Sequence, residues 1–186
     1  MPIQAIISAF GLVFVTEIGD KTMLTTMCLS AQYRRPLVIL TASMLALAIA
    51  SIIAVIVGVV LASALPIDLI LIISGSLFIG MGVFSLIRNS PEADDCKQPT
   101  TFLSMVSVVL ASELGDKSQI VILALAAQST FPILVFLGAI LGFFAVNLIG
   151  AYAGDQAASR LPVGTITKVT GIVFIAFGIL ILSGFL

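Results

Sequence analysis

The residues best suited to chemistry in this sequence form a short charged motif that occurs twice. Residues 17–22 read Glu-Ile-Gly-Asp-Lys-Thr, and residues 113–118 read Glu-Leu-Gly-Asp-Lys-Ser. Residues three positions apart lie on the same face of a helix, so each copy presents two carboxylates together. Carboxylate and hydroxyl oxygens are hard ligands, which suit Mg²⁺, Ca²⁺ or Mn²⁺ better than zinc or copper. The motif therefore predicts a divalent-cation site assembled from both copies.

The predicted site has four metal ligands and a set of supporting or gating residues. Its four acids and two lysines carry a formal charge of −2 (−4 + 2), which one divalent cation would neutralise. The glycines could admit a close partner helix or let the helix unwind and expose carbonyl oxygens. The ligands are Glu17, Asp20, Glu113 and Asp116, and the supporting residues are Lys21, Lys117, Thr22, Ser118, Gly19, Gly115, Gln119 and Asn147.

Two simpler roles for these residues are also consistent with the sequence. The charges of the motif could neutralise one another and only hold the two halves together. Asn147 could make a hydrogen bond between helices instead of supporting the ion. The lysine beside each aspartate points away from the ligand face of a continuous helix, so it would pair with a carboxylate, close a gate or reach toward one surface.

The composition indicates the environment in which this site must lie. The 186 residues are 60% hydrophobic and 9% charged, with a mean hydropathy of +1.28. Soluble domains are about 45–50% apolar and about 25% charged, so this composition predicts an all-α integral membrane protein embedded in a lipid bilayer. The absence of histidine excludes histidine-ligated haem and Ser-His-Asp catalysis, and with only two cysteines no zinc site or permanent cofactor is expected. Eight basic residues against nine acidic ones exclude nucleic acid as a partner.

Six segments are long and apolar enough to be transmembrane helices, each of which needs about 20 residues. The charged motifs lie inside the first and fourth segments, where each charge costs at least about 2.5–3.5 kcal/mol at the bilayer centre. The charges must therefore face one another, water or an ion. The segments are approximately 3–29, 37–62, 69–87, 102–126, 133–154 and 163–186.

The chain is a tandem duplication with a shift of 96 residues (113 − 17). Without a gap, the same shift carries Pro36 to Pro132 and Gly82 to Gly178. The sequence thus predicts a first repeat at 1–90, a cytoplasmic linker at 91–101 and a second repeat at 102–186. Each repeat has three spans, an odd number, so the second must enter the membrane from the opposite side. Such inverted-topology repeats are typical of transporters that bind substrate near the midplane.

The distribution of Lys and Arg predicts the orientation. The loops after the first, third and fifth spans carry all the basic loop residues, whereas the opposite loops have none. The positive-inside rule therefore places the basic side in the cytoplasm and both termini outside it. No basic region precedes the first apolar segment, so we do not expect a cleavable signal peptide.

The doubled Glu-x-Gly-Asp-Lys-(Thr/Ser) motif, in two three-span halves, resembles the membrane divalent-cation transporter family of bacterial manganese exporters and of Golgi and chloroplast manganese/calcium transporters. The resemblance covers nearly the whole chain, and no motif position departs from the pattern. It implies a secondary transporter in the bacterial inner membrane that exports Mn²⁺, or alternatively Ca²⁺, in exchange for protons. Manganese or calcium would then be a transported substrate.

Other functions remain open from the residues alone. An exporter of small organic cations or amino acids could have the same six spans, although the absence of tryptophan argues against an aromatic cage. An intramembrane aspartyl protease could use Asp20 and Asp116 as a dyad, but the lysine beside each aspartate would disturb it. A passive channel and a homo-oligomer are also compatible with the sequence.

Overall fold

The computed structural model describes residues 2–87, 101–158 and 163–183, and every element within these ranges is a helix. Eight helices follow one another along the chain. They are α1 (Pro2–Glu17), α2 (Lys21–Tyr33), α3 (Pro36–Ala64), α4 (Ile67–Ile87), α5 (Phe102–Glu113), α6 (Lys117–Gln128), α7 (Pro132–Ala158) and α8 (Val163–Leu182).

The first and fourth predicted spans are not continuous helices. The first is divided into α1 and α2, and the fourth into α5 and α6, with three residues between the halves in each case. The other four predicted spans correspond to α3, α4, α7 and α8, with small shifts at their ends. Both interruptions fall inside the charged motif, at the glycines where the sequence left unwinding open.

Three helices in the described ranges are long and apolar enough to cross a membrane by length and composition. They are Pro36–Ala64, Ile67–Ile87 and Pro132–Tyr152, while α1, α5, α6 and Lys168–Leu182 are shorter apolar helices. Large apolar side chains also face outward, and Ile56 and Ile72 are each more than half exposed. Soluble proteins rarely expose extended apolar surfaces, so this outer surface is that of a membrane protein.

The core lies where helices of the two repeats pack together. The half-helices α1 and α2 both contact α7, and α5 and α6 both contact α3, which is the repeat counterpart of α7. One apolar cluster joins α1, α3, α6 and α7 around Val13, Leu47, Ile122 and Phe143. The long helices α3 and α7 therefore hold the broken helices from either side.

Helices α4 and α8 pack through four glycines in a reciprocal arrangement. A Cβ on Gly82 would lie 2.6 Å from the carbonyl oxygen of Gly171, and a Cβ on Gly178 would lie 2.7 Å from that of Gly75. The 96-residue shift converts the first contact into the second, since 171 is 75 + 96 and 178 is 82 + 96. Reciprocal contacts of this kind are those of a local two-fold axis.

We expect Gly82→Ala to destabilise the protein by about 1–3 kcal/mol, because the added methyl group would meet backbone atoms that cannot move aside. Its Cβ would lie 2.6 Å from the Gly171 carbonyl oxygen and 2.9 Å from the Ile175 nitrogen. Thermal unfolding in detergent measures the effect. Gly80→Ala on the same helix is the matched control, since nothing lies within 4 Å of its Cβ, and it should be at least as stable as the parent because alanine favours a helix interior. Equal melting temperatures for the two variants would contradict the close packing.

Candidate metal site at the two helix breaks

Each motif breaks its helix at the central glycine. Gly19 has a φ of +72° and Gly115 a φ of +88°, in the left-handed region that glycine adopts without a Cβ penalty. Of the two roles considered for these glycines, the structure therefore shows unwinding. Glu17 is the last residue of α1, and Asp20 precedes α2. The glutamate and the aspartate thus flank a break, and the prediction that they share one continuous helical face is wrong.

The aspartates occupy the N-cap positions of the second half-helices. Asp20 and Asp116 have extended backbones, with ψ values of 171° and 170°, and neither side chain makes a capping hydrogen bond. An aspartate at this position ordinarily accepts a hydrogen bond from the first turn of its helix. Here the carboxylates are directed elsewhere, while the positive ends of the α2 and α6 dipoles lie beside them.

Three of the four predicted carboxylate ligands converge across the repeats. Oxygen atoms of Glu17, Asp20 and Asp116 lie within 4.8 Å of one another. Glu17 is 1% exposed and Asp20 is 9% exposed, so water screens their charges only weakly. A cation at this position would relieve the repulsion and satisfy several oxygens at once.

Glu113 lies next to this group but is not part of it. Its side chain is 1% exposed, and its charge interacts with those of Asp116 and Asp20. Glu17 in turn interacts with the charges of all three other acids. The two repeats therefore do not contribute identical ligand sets: the first motif places both acids in the group, and the second places one.

A lysine connects the two motifs. The Nζ atom of Lys117 lies 3.9 Å from Oδ1 of Asp20, so a cation from the second repeat pairs with an anion from the first. This contact agrees with pairing, one of the roles predicted for the lysine. The side chain of Lys21 lies outside the described part of the structure. The three converged acids and Lys117 carry a formal charge of −2 (−3 + 1), which matches one divalent cation.

Buried polar atoms without good hydrogen bonds are concentrated at the motifs. Within the described residues, no hydrogen bond of acceptable geometry reaches the carboxylate oxygens of Glu17, the hydroxyl of Thr22 or the amide of Gln119. The hydroxyl of Ser118 lies beside both glutamates. Unsatisfied buried groups cost about 1–3 kcal/mol each, so their concentration here indicates a site that binds an ion or water.

Gln119 has no equivalent in the first repeat. Its repeat counterpart is Met23, whose Sδ accepts a hydrogen bond from the Gly19 N–H at 3.3 Å. Gln119 is 7% exposed and presents an amide where the first repeat has a thioether. The site therefore has different chemistry on its two sides.

Asn147 makes a hydrogen bond between helices, which was the simpler of its two predicted roles. Its Oδ1 accepts from Thr26 at 2.9 Å, and its Nδ2 donates to the carbonyl oxygen of Phe143 at 3.0 Å. The hydroxyls of Thr26 and Ser43 lie 3.4 Å apart, so the network joins α2, α3 and α7. Thr26 and Ser43 were not among the predicted site residues, although both are polar where the other repeat has Ile122 and Ala139.

A separate cavity of about 210 Å³ lies near the start of α1, the end of α6 and the start of α7. Neutral polar side chains line part of it, among them Gln4, Ser8 and Gln128. None of the motif residues is in its lining, so this cavity is distinct from the carboxylate group.

Comparison with known proteins agrees with the chemistry of the two motifs. The chain matches the family described as "Divalent cation/proton antiporter GDT1" over residues 5–93 and 101–185. It belongs to that family. Members of this antiporter family are transporters, and the protein is therefore not an enzyme, which sets aside the aspartyl protease hypothesis.

Three relatives illustrate the range of this family. A Vibrio cholerae protein named "Putative manganese exporter" is 31% identical over 88% of this chain and 82% of its own length. The rice protein "GDT1-like protein 2, chloroplastic" is 30% identical over 92% of this chain, which spans 59% of the rice protein. An Arabidopsis thaliana protein named "Protein PAM71-homolog, chloroplastic" is 28% identical, and this chain spans 56% of it. No solved structure matches the chain.

In this GDT1-family chain, we expect Gly115→Ala to lower both stability and cation transport. The φ of +88° would strain an alanine by about 1–2 kcal/mol, and relief of that strain would move Asp116 away from the other acids. Nothing lies within 4 Å of the added Cβ, so a steric clash cannot account for the loss.

Thermal unfolding and metal flux into vesicles measure the two effects of Gly115→Ala. Gly115→Asn should be milder, because asparagine tolerates the left-handed region better than alanine does. Gly11→Ala is the control, because Gly11 lies in the middle of α1 and nothing lies within 4 Å of the added Cβ. Full transport by Gly115→Ala would show that the left-handed break does not position the site.

Proposed function

We propose that this protein exports divalent cations from the cytoplasm of a bacterium, Mn²⁺ foremost and Ca²⁺ as the second candidate, in exchange for protons. The observation that carries the proposal is the convergence of Glu17, Asp20 and Asp116 at two broken helices. Broken helices that meet between repeats are a recurrent arrangement for ion sites in secondary transporters. Membership of a divalent cation/proton antiporter family supports the same function.

The donor set supports a divalent metal as the substrate. Glu17, Asp20 and Asp116 would ligate the ion directly, with Glu113 beside them as a fourth acid. The oxygens of Thr22, Ser118 and Gln119 are available to complete the shell, and all are hard donors. Manganese is preferred to calcium because the Vibrio cholerae relative is named for manganese export. A small organic cation is less favoured, because oxygens of three acids lie within 4.8 Å of one another, which suits a bare ion. The sequence also has no tryptophan for an aromatic cage.

Coupling follows from the chemistry of the ligands. A carboxylate that has bound a proton is a poor metal ligand, so the two cargoes compete for the same oxygens. Protons that arrive from outside would displace the metal, and their release on the cytoplasmic side would restore the site. No step in this cycle requires a nucleotide.

We further propose that α1–α2 and α5–α6 each act as one span, so that the protein crosses the inner membrane six times as an inverted repeat. The equivalent positions of the breaks and the reciprocal contacts of α4 with α8 support this arrangement. The second break is open at the surface, since Leu114 is 54% exposed. Non-helical backbone at membrane depth is tolerated only against protein or water, which favours a water-accessible site there.

Neutralising any one of the converged acids should reduce Mn²⁺ transport in vesicles by about 100-fold or more, since even indirect metal partners contribute about 10–100-fold. Glu17→Gln, Asp20→Asn and Asp116→Asn remove one charge each with little change of shape. Asp68→Asn is the matched control, because Asp68 is exposed in the first turn of α4, and its transport should be unchanged. Normal transport by both Asp20→Asn and Asp116→Asn would refute the proposed site.

An inward proton gradient should drive Mn²⁺ outward, and a protonophore should abolish this flux. Metal affinity should also weaken steadily as the pH falls from about 8 to about 5, because protonated carboxylates do not ligate metal. Isothermal titration at several pH values and flux with imposed gradients measure the two effects. A pH-independent affinity together with flux that ignores the gradient would indicate a channel or uniporter.

Thiol labelling tests the orientation. An impermeant reagent should reach Cys96, which lies outside the described residues, from the cytoplasmic side alone. A cysteine added after Leu186 should react only from the opposite side, since both termini are proposed to lie outside the cytoplasm. Labelling of the two positions from one side would refute the inverted topology.

A further inference from the structure

A line of buried hydroxyls runs along α2 away from the carboxylate group. Thr22, Thr26 and Ser30 are four residues apart, so they share one face of the helix. Their side chains are 2%, 0% and 6% exposed. At 1.5 Å per residue the line extends about 12 Å, from the first turn after Asp20 to the last turn of α2. We call these three residues, together with Ser43 and Asn147, the hydroxyl file.

Two neighbouring helices contribute oxygens to the middle of the file. Thr26 donates to the side-chain oxygen of Asn147 on α7 at 2.9 Å, and the hydroxyl of Ser43 on α3 lies 3.4 Å from that of Thr26. Ser43 and Asn147 are 1% and 0% exposed. Three helices therefore direct neutral oxygens toward one another in the protein interior.

The other repeat has no such file. The 96-residue shift carries Thr26 to Ile122, Ser30 to Ala126 and Ser43 to Ala139. All three counterparts are buried in the apolar cluster between α1, α3, α6 and α7. The contacts of α4 with α8 are reciprocal, whereas these residues differ between the repeats. The difference lies in the sequence and therefore persists in every conformation.

The two ends of the file have unsatisfied hydrogen-bonding capacity. No partner within the described residues reaches the hydroxyls of Thr22 or Ser30, although both are more than nine-tenths buried. A network that served only to hold helices together would be expected to satisfy its terminal groups, as Thr26 and Asn147 do at the centre. Unsatisfied oxygens at both ends favour a path along which an ion or its water passes.

We propose that the hydroxyl file is a one-sided path for the transported divalent cation between the carboxylate group and the side of the membrane that carries Arg34 and Arg35. Helix α2 ends at Tyr33, directly before these arginines. Neutral oxygens replace part of the hydration shell of a hard cation but hold it more weakly than carboxylates do. The ion therefore reaches its site through the file without being trapped on the way. The inference rests on the proposed function.

The experiment measures kcat/KM for Mn²⁺ offered from each side, in right-side-out and inside-out vesicles, together with the equilibrium Kd in detergent. Thr26→Val keeps the shape of the side chain and removes the hydroxyl, and Asn147→Leu removes the amide. For metal offered from the arginine side, both variants should lower kcat/KM at least tenfold, while Kd changes less than threefold. Thr26→Ser should restore transport, which separates loss of the hydroxyl from misfolding.

The repeat supplies the matched controls. Ile122→Val and Ser51→Ala alter the counterparts of Thr26 and Asn147, and each should leave kcat/KM within twofold of the parent. An unchanged kcat/KM in Thr26→Val would overturn the proposal that the hydroxyl file is a path for the ion. A rise in Kd that accounts for the whole loss would also overturn it, since the network would then only shape the carboxylate site. Absence of transport by the unchanged protein would instead overturn the proposed function, and this inference with it.

Discussion

The electrostatic free energy of placing like charges together in apolar surroundings is the main constraint on this structure. Glu17, Asp20 and Asp116 approach within 4.8 Å, and the first two are largely closed to water, so each charge acts strongly on the others. The chain accommodates them by opening two helices, so that side chains, helix termini and a lysine from the other repeat surround one small volume. The long helices α3 and α7 and the α4–α8 pair then hold the broken helices in place. A cation at the centre would balance the charges that the protein alone leaves unbalanced.

Breaking the helices has a second consequence, because the motif residues then lie at joints between half-helices and not within a continuous helix. A continuous helix moves as one rod, whereas α1 and α2, or α5 and α6, are joined through a glycine that has no Cβ to restrict it. The glycine contacts of α4 with α8 are close and reciprocal, and they leave little freedom. A closely packed pair, α4 and α8, beside two broken helices, α1–α2 and α5–α6, is a suitable basis for alternating exposure of a central ion.

Duplication explains the two-fold character of the molecule, and later divergence explains the differences between its two halves. The motifs remain nearly identical, yet Gln119 stands where the first repeat has Met23. The polar residues around Thr26 likewise correspond to apolar residues around Ile122. A transporter whose two sides face different solutions need not keep its two repeats alike. The contacts of α4 with α8 follow the repeat relation, whereas Gln119, Thr26, Ser30 and Ser43 depart from it.

The sequence by itself determined the membrane character, the helical class, the 96-residue repeat and the family, because composition, apolar length and a doubled motif are properties of the chain alone. It also identified four acids, three of which meet, since charges inside apolar segments must face one another. Only the tertiary structure decided that the glycines break both helices, that Glu113 lies beside the group of three, and that Asn147 bonds to Thr26. Those outcomes depend on backbone torsion angles and on which helix faces pack together, and a local pattern of residues specifies neither.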